Sequence, residues 1–358
     1  MRIVQMVDAL DFGDGVSNDI INLHRLMDAM KIQNTIYSKW KHEKVAQYTH
    51  DIEKYSPRPN DYILYHYSGK SVIIDQVLGY NRPVILRYHN ITPPEFFIRD
   101  NPEIAARCQE GLDQIKAYVK RFDFYCGDSG FNNRNLIEYG ASPERTSVLP
   151  IELNLSQLRD KETDAAILEE MKRHTNVLFV GRFAPNKRIE EILDVFENYY
   201  RYYNDAAYLY LVGNNQQNEL YTRFIESKLK EMMAREHVIV TGKVDERQLY
   251  SYYTGANVFL CMSEHEGFCI PLLEAMEFET PVIAYDAGAV ADTMGKSGVL
   301  VTNKEVPVIA GLINELDQNK YLRDRVIGEQ KKHLRQFDAQ TMRQKLSELI
   351  SVWTGEER

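Results

Sequence analysis

The sequence predicts an α/β protein built as two Rossmann-like domains, each with a parallel sheet. Three observations lead there. Short β-branched or aromatic runs alternate with amphipathic segments, the pattern of a parallel sheet wrapped by helices, and the alternation occurs twice. The 358 residues exceed what one hydrophobic core usually organises, at about 150 residues per domain. Between about 154 and 175 the chain turns polar, with Arg159, Asp160, Lys161, Glu162 and Asp164 close together, as in a linker followed by a short surface helix.

In the first series, strands are predicted at 3–8, 35–40, 62–67, 84–89, 122–127 and 147–150. Val16, Ile20, Leu23, Met27 and Met30 put one apolar stripe on the helix after the first strand. The second series places strands at 177–181, 208–213, 238–242, 258–261, 282–285 and 298–301. The tail, 320–353, reads as helix almost throughout. The expected division is a first domain over 1–160 and a second over 170–337, with the last helix, about 338–358, packing back on the first domain.

Composition narrows the function classes. Hydrophobic residues at 44% and charged residues at 27% are those of a folded globular chain. A net charge of -9 lacks the basic footprint that nucleic acid requires, so no nucleic-acid partner is expected. The first eight residues reach an acidic residue too early for a secretory segment and no apolar run approaches ~18 residues, so a cytoplasmic location is expected. Cys108, Cys126, Cys261 and Cys269 form neither a CxxC pair nor a set with metal-ligand spacing; sitting among apolar neighbours, they are expected to be buried thiols rather than disulfides.

The chemistry concentrates in four turns at strand ends. After the strand at 258–261 comes Ser263-Glu264-His265-Glu266-Gly267-Phe268-Cys269-Ile270-Pro271-Leu272-Leu273-Glu274. Gly267 allows close backbone approach, Pro271 suits a first helical turn, and the N–H groups of that turn attract an anion such as a diphosphate. Glu266 and Glu274 can place two carboxylates around a polar ligand, accepting bonds from diol hydroxyls; alternatively one caps a loop and the other favours a helix start. A second strand end runs through Gly181-Arg182-Phe183-Ala184-Pro185-Asn186-Lys187-Arg188, where Arg182 supplies a planar fork and Lys187 a point charge. Gly13 and Gly15 lie in the first strand-to-helix turn, and Asn18 stands where a dinucleotide fingerprint needs glycine, so NAD is not supported. His89 closes a further strand, with His66, Asp128 and Ser129 at neighbouring strand ends.

These motifs resemble the retaining family 4 glycosyltransferases, with Glu266 and Glu274 at the glutamates of the EX7E signature and Pro281-Val282-Ile283-Ala284 as its usual continuation. The resemblance is strongest from about 177 to 301. It implies the GT-B fold, two Rossmann-like domains with parallel sheets facing across a cleft. It implies that Glu266 contacts the donor sugar, Glu274 the ribose, and the backbone of Gly267, Phe268, Cys269 and Ile270 the sugar and phosphate. Arg182 and Lys187 would grip the diphosphate in place of a metal ion, so no metal and no cofactor are expected. Gly13 and Gly15 would face the diphosphate and acceptor, His89 would lie next to the donor sugar, and Val244, with Gly242 and Lys243, would follow the nucleotide base through main-chain atoms. Two departures stand out: Cys269 replaces a common glycine, and Arg188 another, leaving Arg188 as a third phosphate contact or a surface residue.

The implied reaction is transfer of a hexose or deoxyhexose from a nucleoside-diphosphate sugar to a glycan or lipid-linked glycan, with retention, by a front-face displacement through an oxocarbenium-like transition state. Catalysis would fall to Glu266, His89, Arg182 and Lys187. The rivals are a GT-B epimerase or phosphorylase and a silent glycosyltransferase-like partner subunit. Lys116, Lys120 and Arg121 form a candidate surface for peripheral membrane contact, or an ordinary solvated helix face.

Overall fold

A computed structural model describes residues 1–155, 158 and 161–355; Arg159 and Asp160 of the polar linker lie outside the described residues. The chain divides into two units, one formed by Met1–Pro94, Glu103–Asn154 and the stretch from Phe337 onward, the other by Glu95–Pro102 and Leu155–Gln336. Each holds one parallel sheet, so the α/β class and the paired Rossmann-like architecture predicted above are what the chain adopts.

In the first unit, strands β1 (Arg2–Leu10), β2 (Asn34–Lys41), β3 (Thr49–Asp51), β4 (Asp61–Tyr67), β5 (Val84–Tyr88), β6 (Phe124–Gly127) and β7 (Thr146–Val148) lie in the order β3-β2-β1-β4-β5-β6-β7. Helices cover both faces of the central strands, which is why β4 and β5 read as near-continuous apolar runs. The helix Gly15–Ala29 buries Ile20, Leu23 and Met27 of the predicted stripe. The predicted strands miss β3, whose three residues, Thr-His-Asp, carry no apolar pattern; it pairs with Ile36–Ser38 of β2, and the Ser38 and Thr49 hydroxyls bond at 3.0 Å.

The second unit contains β8 (Asn176–Val180), β9 (Tyr208–Val212), β10 (Val238–Gly242), β11 (Val258–Cys261), β12 (Val282–Tyr285) and β13 (Val299–Val301), ordered β10-β9-β8-β11-β12-β13. Its core joins Val177, Phe179, Ile192, Phe196, Leu209, Leu211, Leu260 and Ile283. From β8 the chain first builds toward β10, then returns to the other side of β8 to lay down β11. The strand order therefore reverses between β8 and β11, and in the first unit between β1 and β4. At such a point the loops leaving the carboxyl ends part and open a crevice, the usual ligand position in an open parallel sheet.

The tail is not one helix. Lys320–Leu334 and Ala339–Thr354 are separated by the turn Arg335–Phe337, and the Asp338 carboxylate accepts from Thr341 N–H at 2.7 Å to start the second. Met342, Leu346, Ile350 and Trp353 of this last helix pack in the first unit with Ile3, Leu23, Met27, Leu64 and Ile85. All four cysteines are free thiols; Cys126, Cys261 and Cys269 are buried, whereas Cys108 is only partly so, a correction to the expectation for that residue. Among the described residues no helix is long and apolar enough to cross a membrane. The basic face proposed for membrane contact is partly engaged within the fold: Lys116 lies over the Tyr139 ring and Arg121 reaches Asp75 at 3.5 Å.

Just beyond β7, Glu152 is 5% exposed. Its Oε1 accepts from Asn154 N–H at 3.1 Å, while Oε2 has no hydrogen-bond partner. Burial pushes its carboxyl from an ordinary 4.5 up to about 7, with Asn154 and Arg343 opposing and Asp19 reinforcing the rise. Between those two values the folded chain keeps a proton that the unfolded chain has lost, so stability falls as pH rises through this window. Glu152→Gln is expected to flatten that fall and to raise stability at pH 7.5. At about 1.4 kcal/mol per pH unit the gain is at most ~3 kcal/mol, measured by denaturant unfolding at pH 4.5 and 7.5. A variant with the wild-type slope would show that Glu152 is not the titrating group.

Candidate active site

The loop after β8 is anchored before it turns. Gly181 N–H donates to Val212 O at 2.9 Å, Phe183 and Ala184 are buried, and Asn218 Nδ2 donates to Phe183 O at 2.8 Å. A 3-10 turn, Pro185–Lys187, then leads through Arg188, at φ +51°, into the helix Ile189–Tyr202. The loop after β11 is sewn to this one by Asn186: its carbonyl accepts from Glu264 N–H at 2.8 Å and its amide donates to His265 O at 3.0 Å. From the other side Ala289 N–H donates to Glu266 O at 2.9 Å. Gly288, at φ +59°, packs so closely on Glu266 that a Cβ would stand 2.6 Å from its carbonyl oxygen and 2.8 Å from its nitrogen.

This scaffold brings Lys187 and Glu266 together. Lys187 Nζ donates to Glu266 Oε1 at 2.5 Å, and Glu266 is 7% exposed. Burial alone would depress the Lys187 ammonium, but Glu266, aided by the Cys269 and Cys261 sulfurs, holds it above its ordinary value. Arg182 is exposed, with Nη1 3.3 Å from Gln217 Oε1. Arg188 is an internal strut, paired with Glu264 and, at 3.3 Å, with Glu190. Lys304 completes that cluster, 2.7 Å from Glu264 and 2.5 Å from Glu191.

Beyond Glu266, Gly267 and Phe268 lead to Cys269, which adopts φ +71° and precedes the helix Ile270–Glu277, with Pro271 at its second position. The Phe268 carbonyl accepts from the Thr293 hydroxyl. Glu274 therefore falls on the second turn rather than the first. Its Oε2 accepts from Tyr253 OH at 2.7 Å, and burial raises its carboxyl against the lowering effect of that bond. The two glutamates thus have separate partners, Lys187 for one and Tyr253 for the other. Cys261 Sγ, Cys269 Sγ and a Glu266 oxygen lie within 4.8 Å of one another, a grouping without Glu274. His265, flanking Glu266, is pushed down to about 4 by burial. Val244 is half-buried between β10 and the helix Glu246–Gly255; just before it, Gly242, at φ +68°, accepts from Gly213 N–H at 3.0 Å.

In the first unit, Gly13 (φ +83°) and Gly15 flank Asp14, whose carboxylate accepts from Val16 and Ser17 N–H at 2.9 and 3.0 Å. The start of the helix Gly15–Ala29 is thus already capped by a negative charge. The His89 side chain is 1% exposed, and both its nitrogens are engaged: Nδ1 with Asp128 at 3.0 Å, Nε2 with His66 Nδ1 at 2.9 Å. Gln5 Nε2 donates to Ile20 O, so its Oε1 faces His66 Nε2 as an acceptor and requires a proton there. Burial, with His89 and Arg87 nearby, drives the His66 pKa well down, and His66 Nδ1 and His89 Nε2 share one hydrogen bond between them. His89 then has no nitrogen left for a sugar hydroxyl in this arrangement. Beneath it Arg87, fully buried, lies 2.9 Å from Asp19 and 3.1 Å from Asp128.

Sequence reasoning named Glu266 and Lys187 but missed Asn186 and Gly288, which hold them through main-chain contacts. A glycine in Asp286-Ala287-Gly288-Ala289, just after a strand end, was the available signal for the latter. Gly288→Ala is expected to lower the melting temperature through its left-handed backbone, costing at least about 1 kcal/mol, and through overlap with Glu266. For a domain of this size that is roughly 2–4 °C per kcal/mol in thermal unfolding, and an unchanged melting temperature would show that the Glu266 loop is not held from this side.

Comparison with known proteins fits this geometry. Residues 160–333 match the model of the family Glycosyl transferases group 1. The chain is similar to the D-inositol 3-phosphate glycosyltransferase of Geodermatophilus obscurus, 28% identical over 58% of this chain and 47% of that protein. It is also similar to the amylovoran biosynthesis glycosyltransferase AmsD of Erwinia amylovora, 23% identical over 42% and 41% of the two chains. The chain spans about half the length of these curated relatives. Among solved structures, Anabaena HepE in complex with UDP and glucose superposes with a TM-score of 0.74 at 16% identity, over 98% of this chain and 100% of that one. Residues 160–333 are thus similar to the glycosyl transferases group 1 family, and the chain as a whole has the two parallel-sheet, Rossmann-like domains of the GT-B fold.

Proposed function

We propose that this protein is a retaining, metal-independent glycosyltransferase of family 4, with Glu266 and Glu274 as the glutamates of its EX7E signature. It moves a hexose or deoxyhexose from a nucleoside-diphosphate sugar to a glycan or lipid-linked glycan, in the synthesis of surface polysaccharide or glycoconjugate. The observation that carries this reading is the pair of partly buried Lys187 and buried Glu266, at 2.5 Å, beside the carboxyl ends of β8 and β11 where the strand order reverses. A diphosphate competes for the Lys187 ammonium and releases Glu266 to accept from a sugar hydroxyl. Arg182 adds a bidentate donor to the same phosphates, and the two cations stabilise the charge that grows as the glycosidic bond breaks. Glu274, held by Tyr253, is assigned to the ribose, the backbone from Gly267 to Ile270 to sugar and phosphate, and Val244 to the base. In the first unit Gly13 and Gly15 are assigned to contact with the diphosphate and acceptor, and His89, engaged with Asp128 and His66, is assigned as a fixed group rather than a proton shuttle. The amylovoran biosynthesis in which AmsD acts, and the UDP and glucose bound by HepE, support the choice of donor and pathway class.

The test is thermal unfolding with UDP, GDP, dTDP or ADP, in the presence of EDTA, for wild type and Arg182→Ala. A nucleotide at about 100 times its Kd adds roughly 2.7 kcal/mol of stability. One of the four is expected to raise the wild-type melting temperature, and Arg182→Ala to weaken that nucleotide at least about tenfold, the worth of one charged hydrogen bond. With the matching donor sugar, the anomeric configuration of the product, read by NMR, tests retention. If no nucleotide stabilises a well-folded wild type, the donor site is refuted and a silent partner subunit becomes the better reading.

A further inference from the structure

Two thiols converge on Glu266. Cys261 ends β11, Cys269 precedes the next helix, and the left-handed backbone at Cys269 bends the intervening loop back on itself. Cys261 Sγ, Cys269 Sγ and one Glu266 carboxylate oxygen all lie within 4.8 Å of one another, at 2%, 8% and 7% exposure. Lys187 donates to Glu266 Oε1, and a carboxylate, with about four lone-pair sites, can accept that bond and still bind a cation. We propose that Cys261, Cys269 and Glu266 form a binding site for a thiophilic divalent cation of the zinc class.

Sulfur ligands select such a cation over magnesium or calcium, and three protein ligands with one open position are a common zinc arrangement. Charge is balanced as well. Two thiolates and a carboxylate are neutralised by the divalent ion together with the Lys187 ammonium, which also orients the carboxylate from behind as an outer-shell donor does. Binding releases two thiol protons to solvent and changes no oxidation state. The other cluster with ligating side chains, Asp19, His66 and His89, does not meet these conditions: Arg87 already pairs with Asp19, and both rings are spent on hydrogen bonds. Resting on the donor role proposed above, a cation on Glu266 excludes the nucleotide sugar, so zinc acts as a competitive inhibitor.

Co2+ titration of the reduced, metal-free protein tests the site. One equivalent is expected to bind with a thiolate-to-cobalt charge-transfer band, and Zn2+ to displace it. Cys261→Ser and Cys269→Gly are each expected to lose the band and weaken binding at least about tenfold. Glycine suits the backbone at Cys269, so the second variant keeps the fold, verified by circular dichroism. The proposal is overturned if wild type takes up no Co2+. It fails equally if either variant keeps the band, or if Cys108→Ser or Cys126→Ser removes it. A protein that binds Co2+ through these thiols but no nucleotide refutes the donor reading alone; one that binds nucleotide but no Co2+ refutes the metal site alone.

Discussion

An ammonium and a carboxylate cannot be buried separately in this fold. Lys187 without Glu266, or Glu266 without Lys187, would leave a charge nearly stripped of water, at a cost of several kcal/mol, whereas the pair at 2.5 Å is tolerable. Much of the second unit is arranged around that requirement. Asn186 locks the two loops at their backbones, Gly288 lets a third segment press against Glu266, and Arg188, Glu264 and Lys304 form a separate ionic lattice beside it. A pair held this firmly is pre-organised, since its two side chains need no rearrangement to present opposite charges in one place.

The two units handle buried charge differently. In the first, Arg87 is enclosed by Asp19, Asp128 and the carbonyls of Leu149 and Pro150, so the ends of β5, β6 and β7 are tied to one guanidinium. Its donors reach Asp19 and the Leu149 and Pro150 carbonyls, and the charge is enclosed on all of these sides, although Asp128 Oδ1 is held by charge alone, without a hydrogen bond. His89 belongs to this closed network through Asp128. The contrast is between a guanidinium enclosed by several partners in the first unit and a one-to-one ion pair in the second.

Most of the fold was legible because its signals are local. Apolar runs bounded by turns marked every strand but β3, which is held by pairing to β2 rather than by its own apolar pattern. The tail break at Asp338 carried a capping signal that the helical pattern on both sides masked. Within the candidate site, the strand-end placement of Arg182, Lys187 and Glu266 was readable because motif and turn coincide in a few residues. The approach of Cys261 to Cys269 was not, because seven intervening residues and one left-handed backbone angle determine it, and spacing alone resembles no metal motif. The engagement of both His89 nitrogens was equally hidden, since His66, Gln5 and Asp128 come from three other strand ends or strands.

The first unit is completed by residues made after the entire second one. Met342, Leu346, Ile350 and Trp353 cover Ile3, Leu23, Leu64 and Ile85, so during synthesis the earlier segments wait with an apolar face exposed until the tail leaves the ribosome. Closure of the amino-terminal sheet therefore waits for the last helix, whereas the second unit, built from Glu95–Pro102 and Leu155–Gln336, has all its residues before that helix is made.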